Sequence, residues 1–157
     1  PVQGSPKIID TLNELLAIEL TAVHQYVLHA GMLRNWGYER LAKKLHDESG
    51  EELNHARKLV NRILFLEGSP NMQRFNQVQS GSDVPSQLAA DLQLEKGGVE
   101  RLRAAIGLCL IEADAGTREL LEHLLEESEG HVLWLEQQLY LSGKVGVENY
   151  LAEQLQG

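Results

Sequence analysis

At 157 residues the chain is long enough to bury a sizeable core as one domain, residues 1–157, without staples. Lys+Arg number 14 against 23 Asp+Glu, a formal charge of −9 with no basic block, which argues against nucleic acid or anionic membrane as a partner and favours dissolved cations. The single cysteine, Cys109, excludes an internal disulfide framework and any C-x-x-C metal knuckle; in the apolar run Ile106-Gly-Leu-Cys-Leu-Ile111 it is expected as a small buried hydrophobe.

The dominant periodicity is helical. The first segment, about Pro6 to Asn35, opens on Ser5-Pro6 as N-cap and first helical residue. It carries Ile8, Leu12, Leu15, Leu16, Glu19, Ala22, Tyr26 and Ala30 along one stripe. Asn35-Trp36-Gly37 supplies a glycine stop. The second segment, about Tyr38 to Glu67, places Leu41, Leu45, Glu48, Glu52, His55, Leu59 and Ile63 on one face and stops at Gly68-Ser-Pro70. Residues 68–83, rich in Asn, Gln, Ser and Gly, read as a long crossover. The third segment, about Pro85 to Glu112, opens at Asp83-Val-Pro85, and the next break is expected at Asp114-Ala-Gly116. The fourth runs from about Thr117 to Leu141 and stops at Ser142-Gly143; a short fifth covers Gly146 to Gln154. Gly97-Gly98, inside the third segment, cost roughly 2 kcal/mol of helix propensity against alanine and suggest a close helix approach or a kink. No signal peptide precedes the first segment and nothing approaches the ~18 consecutive apolar residues of a membrane span, so the expected location is cytoplasmic.

The two halves repeat one pattern. Glu19 is followed 33 residues later by Glu52-Leu-Asn-His55, and Glu95 is followed 33 residues later by Ser128-Glu-Gly-His131. A helix rising from Glu19 to the turn at Gly37 covers about 26 Å, and the return from Tyr38 to Glu52 and His55 covers about 21 to 26 Å, at about 1.5 Å per residue. An antiparallel hairpin therefore brings the three side chains to one level, and the second half does the same. The i,i+3 spacing within each x-x-x-His motif sets both of its side chains on one helix face. Two hairpins joined by a long central crossover predict an all-α, ferritin-like four-helix bundle with a short fifth C-terminal helix. The 76-residue offset between Glu19 and Glu95 points to duplication of a hairpin.

Carboxylates on an apolar stripe are costly unless they are paired or bind a metal. One Glu from each of two helices and Glu-x-x-His from each of the other two is the ligand set of di-iron carboxylate bundles; here the second Glu-x-x-His carries Ser128 in place of its glutamate. Carboxylates with one imidazole per metal and no thiolate suit iron or manganese better than structural zinc. Tyr26, two turns after Glu19 on the same face, could donate an electron or hydrogen-bond a ligand. The remaining histidines, His24, His29, His46 and His123, have no matched partner in the repeat and are expected at the surface or in pores.

At these residues the chain resembles the bacterioferritin family over essentially its whole length. The stretches that carry the resemblance are Leu15-Leu-Ala-Ile-Glu-Leu-Thr-Ala-Val-His-Gln-Tyr26, Arg62-Ile-Leu-Phe-Leu-Glu-Gly68, Gly130-His-Val-Leu-Trp-Leu-Glu136 and Gly146-Val-Glu-Asn-Tyr-Leu151. The resemblance implies a hollow shell of twenty-four subunits that oxidises Fe(II) and stores a ferric mineral, with haem between paired subunits. It maps the ferroxidase ligands onto Glu19, Glu52, His55, Glu95 and His131, with the sixth falling on Ser128. Glu127 and Glu129 flank that position, each rotated about 100° around the helix, so neither replaces the missing glutamate without distortion. The family's haem methionine falls on Leu53, and the only methionines, Met32 and Met72, stand elsewhere, so little or no haem is expected in the homo-oligomer. The inner-surface iron site falls on Asp47 and Glu51, two carboxylates at i,i+4.

These observations lead to an iron-storage shell subunit with a partly occupied, incomplete di-iron centre, co-assembling with a second, intact subunit type. Two other readings stand beside it. One is a working ferroxidase in which Glu52 bridges alone and water or Glu127 fills the gap; the other is a non-storage di-iron oxidase or peroxidase, against which stand the absence of rubredoxin-type cysteine pairs and the presence of the fifth helix.

Overall fold

The structure is a computed structural model and describes residues 3–156. Among these the regular elements are all helical: α1 (Pro6–Trp36), α2 (Glu39–Phe65), α3 (Val84–Ile111), α4 (Ala115–Val145) and the short α5 (Val147–Ala152). The helices α1 and α2 pack as one hairpin and α3 and α4 as the other; α1 and α3 bring the hairpins together. This is the expected four-helix bundle with a crossover in the middle. No described helix is long and apolar enough to cross a membrane.

Local chemistry sets the ends. Ser5 caps α1 by accepting from the Lys7 N–H at 3.2 Å, with Pro6 next to it. Gly37 sits in the left-handed region at φ 94° and returns its N–H to the last carbonyls of α1, so the chain reverses into α2. Asp83 and Ser86 form a reciprocal capping box at the start of α3.

Three expected stops lie elsewhere. The α3–α4 turn is made by Ala113 (φ 56°), with Asp114 capping α4 through the Thr117 N–H at 3.0 Å. Gly116 lies inside α4, where a Cβ would come within 2.7 Å of the Arg62 guanidinium, so this glycine makes room for a side chain and breaks no helix. Similarly α2 ends at Phe65 and turns through Glu67 (φ 63°), while Gly68 lets Ile9 pack against the backbone. Ser142-Gly143 does not end α4: the Ser142 hydroxyl donates to the Leu139 carbonyl at 2.9 Å and the helix continues to Gly146, at φ 88°. Gly97 and Gly98 lie within an unbroken α3; Gly97 faces open space and Gly98 has only ordinary contact distance to Ile18, so nothing in the fold requires either glycine.

The crossover satisfies its backbone with side chains from α1. The Asn76 N–H donates to Thr21 at 2.9 Å, the Gln79 N–H to Gln25 at 3.0 Å, and the Gln79 carbonyl lies 2.7 Å from His29 Nε2. Thr21, Gln25 and His29 are one helical turn apart and fully buried, which is how a segment without regular structure lies against a bundle at tolerable cost. His29 therefore does not reach a surface or pore; its other ring nitrogen lies 2.9 Å from Asp91 on α3. His24, His46 and His123 are exposed.

The core has two apolar clusters. One is built on Leu12, Leu16, Leu59, Ile63, Leu102, Cys109 and Leu121; the other on Leu33, Leu41, Leu45, Leu88, Leu135 and Tyr150. Cys109 is buried as expected. Each of the four long helices contributes to both clusters, and each crosses a polar layer between them.

Candidate metal centre

Glu19 (α1), Glu52 and His55 (α2), Glu95 (α3) and Ser128 and His131 (α4) all lie in that layer, and all are buried. The repeat is responsible: each half contributes its acid and its histidine at equal heights above and below the hairpin turns. The ligand atoms of Glu19, Glu52 and His55 fall within 4.8 Å of one another, as do those of Glu52, Glu95 and His131. Glu52 belongs to both groups. Its Oε2 lies 3.4 Å from His55 Nδ1 and its Oε1 lies 2.9 Å from His131 Nδ1, so one carboxylate spans two adjacent candidate cation positions. The two imidazoles are nearly parallel, with ring centroids 6.4 Å apart.

The donor set fits metal ions. Glu19 Oε2 and His55 Nδ1 are buried and 3.4 Å apart, yet neither makes a hydrogen bond. Unsatisfied buried ligand atoms converging on one point are expensive unless a cation joins them. Electrostatics agree. Burial first, then the charge of Glu52, pushes the Glu95 carboxyl up to about 8. Burial and the neighbouring Glu19 likewise raise Glu52. Burial alone would lower the His55 imidazole, but its contacts with Glu19 and Glu52 outweigh that and carry it to about 11. His131 is raised for the same reason by Glu48, Glu52 and Glu95. In the metal-free protein, imidazolium protons thus provide the positive charge that dications would otherwise bring.

Tyr26 donates its hydroxyl to Glu95 Oε1 at 2.7 Å, so its phenol orients that carboxyl from behind; burial and the Glu95 charge raise the phenol well above its ordinary value. Ser128 stands one turn before His131, buried at 2% exposure, where a sixth ligand would come from α4. Glu129 turns away to Arg103 at 3.0 Å. Glu127 does reach the site, but from outside: its Oε2 contacts His55 Nε2, the ring nitrogen remote from Glu19 and Glu52. It buttresses the imidazole without entering the shared cation space. Asp47 pairs with Lys43 at 3.2 Å, whereas Glu51, on the next turn, reaches His131 Nε2 at 2.6 Å. Leu53 points outward, 36% exposed.

Two participants went unrecognised in the sequence. Glu48 lies 2.7 Å from His131 Nε2 and 3.0 Å from Lys44. Asp91 accepts from Gln25 at 2.9 Å and pairs with His29, fastening α3 to α1 one turn from Glu95. A signal existed for both, since each lies four residues before a ligand on the same buried stripe.

Histidines and shared carboxylates at mid-height of a four-helix bundle are the arrangement seen in the class of di-iron carboxylate bundles. The family model for ferritin, described as a ferritin-like domain, matches residues 9–142. The chain is 44% identical over 149 residues to the bacterioferritin of Brucella melitensis, covering 95% of this chain and 92% of that protein. It is 42% identical over 152 residues to the bacterioferritin of Mycolicibacterium paratuberculosis, covering 97% and 96%. It is 43% identical over 155 residues to the bacterial ferritin of Pseudomonas aeruginosa, covering 98% and 100%. The chain belongs to the bacterioferritin family of ferritin-like proteins.

Proposed function

We propose that the protein is an iron-storage subunit, a single ferritin-like domain that assembles into a closed cytoplasmic shell of twenty-four subunits and whose own ferroxidase centre is incomplete. The observation that carries this reading is a matched, buried ligand set in which one member is Ser128. Fe(II) is the substrate. Glu19, Glu52 and His55 hold one ion with three protein ligands. Glu95, His131 and the second oxygen of Glu52 hold the other, less firmly, because a serine hydroxyl provides neither charge nor a second bridge. Oxidation by O₂ or peroxide is a multi-electron event, so it is fast only when both positions are filled together. Tyr26, hydrogen-bonded to Glu95, is placed to fix that ligand and to pass an electron toward the weaker position.

The homo-oligomer then stores iron but oxidises it slowly, and an intact second subunit type in a mixed shell supplies the fast step. Leucine at position 53 has no lone pair for haem iron, so the homo-oligomer holds little or no haem. The inner-surface iron pair, Asp47 and Glu51, is weak as it stands, because Asp47 is held by Lys43 and Glu51 turns to His131. Sedimentation of the purified protein tests the assembly: a shell-sized particle that takes up ferric mineral supports the reading, and a stable monomer or lone dimer at micromolar concentration overturns it.

The working-ferroxidase alternative requires Glu127 to leave His55 Nε2, where its carboxylate sits, and turn into the shared cation space. A burst of oxidation saturating at two Fe(II) per chain would favour it.

A further inference from the structure

The His131 ring separates two sets of carboxylates. Its Nδ1 faces inward, 2.9 Å from Glu52 Oε1 and 3.4 Å from Glu95 Oε1. Its Nε2 faces outward, 2.6 Å from Glu51 Oε2 and 2.7 Å from Glu48 Oε2. The outward acids are the closer pair. We infer that Glu48, Glu51 and His131 Nε2 form a further divalent-cation site, on the outer side of the imidazole, and that the cation given up by the weakened inner position is held there.

Four features support it. The three ligand atoms lie within 4.8 Å of one another, a spread that small movements close to coordination distance. Glu48 is buried, at 4% exposure, yet its Oε2 has no hydrogen-bond partner: it points at Nε2 outside the hydrogen-bonding direction. Lys44 neutralises only the other oxygen, Oε1, at 3.0 Å. In the metal-free protein that oxygen has only the imidazolium charge, 2.7 Å away and out of the hydrogen-bonding direction, whereas a cation between them would be coordinated by both directly. The third feature is access. The three residues line an open pocket of about 490 Å³ with Lys44, Asn54 and Trp134 at its sides, room for a hydrated ion to enter and keep water ligands.

Ligand competition is the fourth. A neutral imidazole coordinates one cation, through one nitrogen, while the other nitrogen keeps its proton. A cation on Nε2 therefore leaves Nδ1–H to donate to Glu52, and a cation on Nδ1 leaves Nε2–H for Glu48 and Glu51. The inner choice offers Glu95 and half of Glu52, with Ser128 adding no charge. The outer choice offers two carboxylates, neither shared with the first inner position. In this chain the balance falls outward, and a glutamate at residue 128 would return it inward. The argument rests on the proposed inner centre only in taking that second position as weak.

Zn(II), redox-inert and well matched to imidazole and carboxylate, is the probe: equilibrium dialysis of the assembled protein, with anomalous diffraction to place the ions. We expect Zn(II) on Glu48, Glu51 and His131 in the unmodified protein. Glu51→Gln, at a half-exposed residue outside the inner cluster, should weaken that ion at least tenfold and leave the ion on Glu19, Glu52 and His55 in place. Ser128→Glu should move density from the outer to the inner side of His131. Zn(II) on the inner positions with the outer one empty, or dialysis unchanged by Glu51→Gln, overturns the inference. An outer ion with nothing bound at Glu19, Glu52 and His55 upholds it and overturns the inner-centre reading instead.

Discussion

Ser128→Glu is the most informative perturbation. Three carboxylates, Glu19, Glu52 and Glu95, face the two proposed cation positions. Two dications bring four positive charges, so one remains uncompensated; a fourth carboxylate at residue 128 makes the cluster neutral. One unit-charge interaction across about 4 Å at an effective dielectric constant near 20 is worth about 4 kcal/mol. Desolvation of the new carboxylate takes back part of this, so the second cation should gain on the order of 10² to 10³ in affinity, at about 1.4 kcal/mol per tenfold. Ser128 is buried and one turn from His131, so the longer side chain starts on the correct face. The assay is stopped-flow Fe(II) oxidation at increasing iron per chain. The unmodified protein should show no rapid phase, and the variant should show one saturating at two irons per chain. A two-iron burst in the unmodified protein, or two fully occupied inner metals in its crystals, refutes the argument.

Three other outcomes are expected. Tyr26→Phe removes the phenol that donates to Glu95 at 2.7 Å and leaves a buried carboxylate oxygen unpaired, costing about 1–3 kcal/mol; an unchanged unfolding midpoint in denaturant would show that the bond contributes nothing. In the metal-free protein Glu95, raised from 4.5 to about 8, binds its proton more tightly folded than unfolded, so its contribution is complete below about pH 4.5 and lost as pH rises through about 8. Glu95→Gln should remove that slope from thermal melts between pH 5 and 9, and identical slopes in both proteins would contradict the assignment. Leu53→Met puts a thioether on a partly exposed face and should raise haem uptake, read as Soret absorbance after incubation with haemin; equal Soret intensity before and after the change counts against leucine as the reason for weak binding.

Helix number, order and pairing were determined by the sequence, because amphipathic periodicity and paired stop signals act over a few turns and require no tertiary context. The buried cluster of acids and histidines was legible for a related reason. Equal spacing about two hairpin turns is a geometric constraint, and acids set on an apolar stripe are too costly to bury without a counter-charge or a cation. Stops were less legible. Glycine reads as a breaker at Gly68, Gly116 and Gly143, yet the first two are small so that Ile9 and Arg62 can pack against them, a contact made by residues far away in the chain.

What only the tertiary structure decided is the direction of side chains that have a choice. Periodicity gives Glu127 no part in the site, but a long flexible side chain can still reach His55 around the helix. His29 has no partner within the repeat and finds Asp91 only when α3 packs on α1, and Gln79 only when the crossover lies down on α1. Sequence spacing pairs Glu51 with Asp47, four residues away; in the bundle Glu51 turns to the imidazole of His131, brought in from the other hairpin, and Asp47 to Lys43. Helical register fixes where a Cα stands, while an ion pair between hairpins depends on which charge the opposite helix places within reach, and that is settled only by packing.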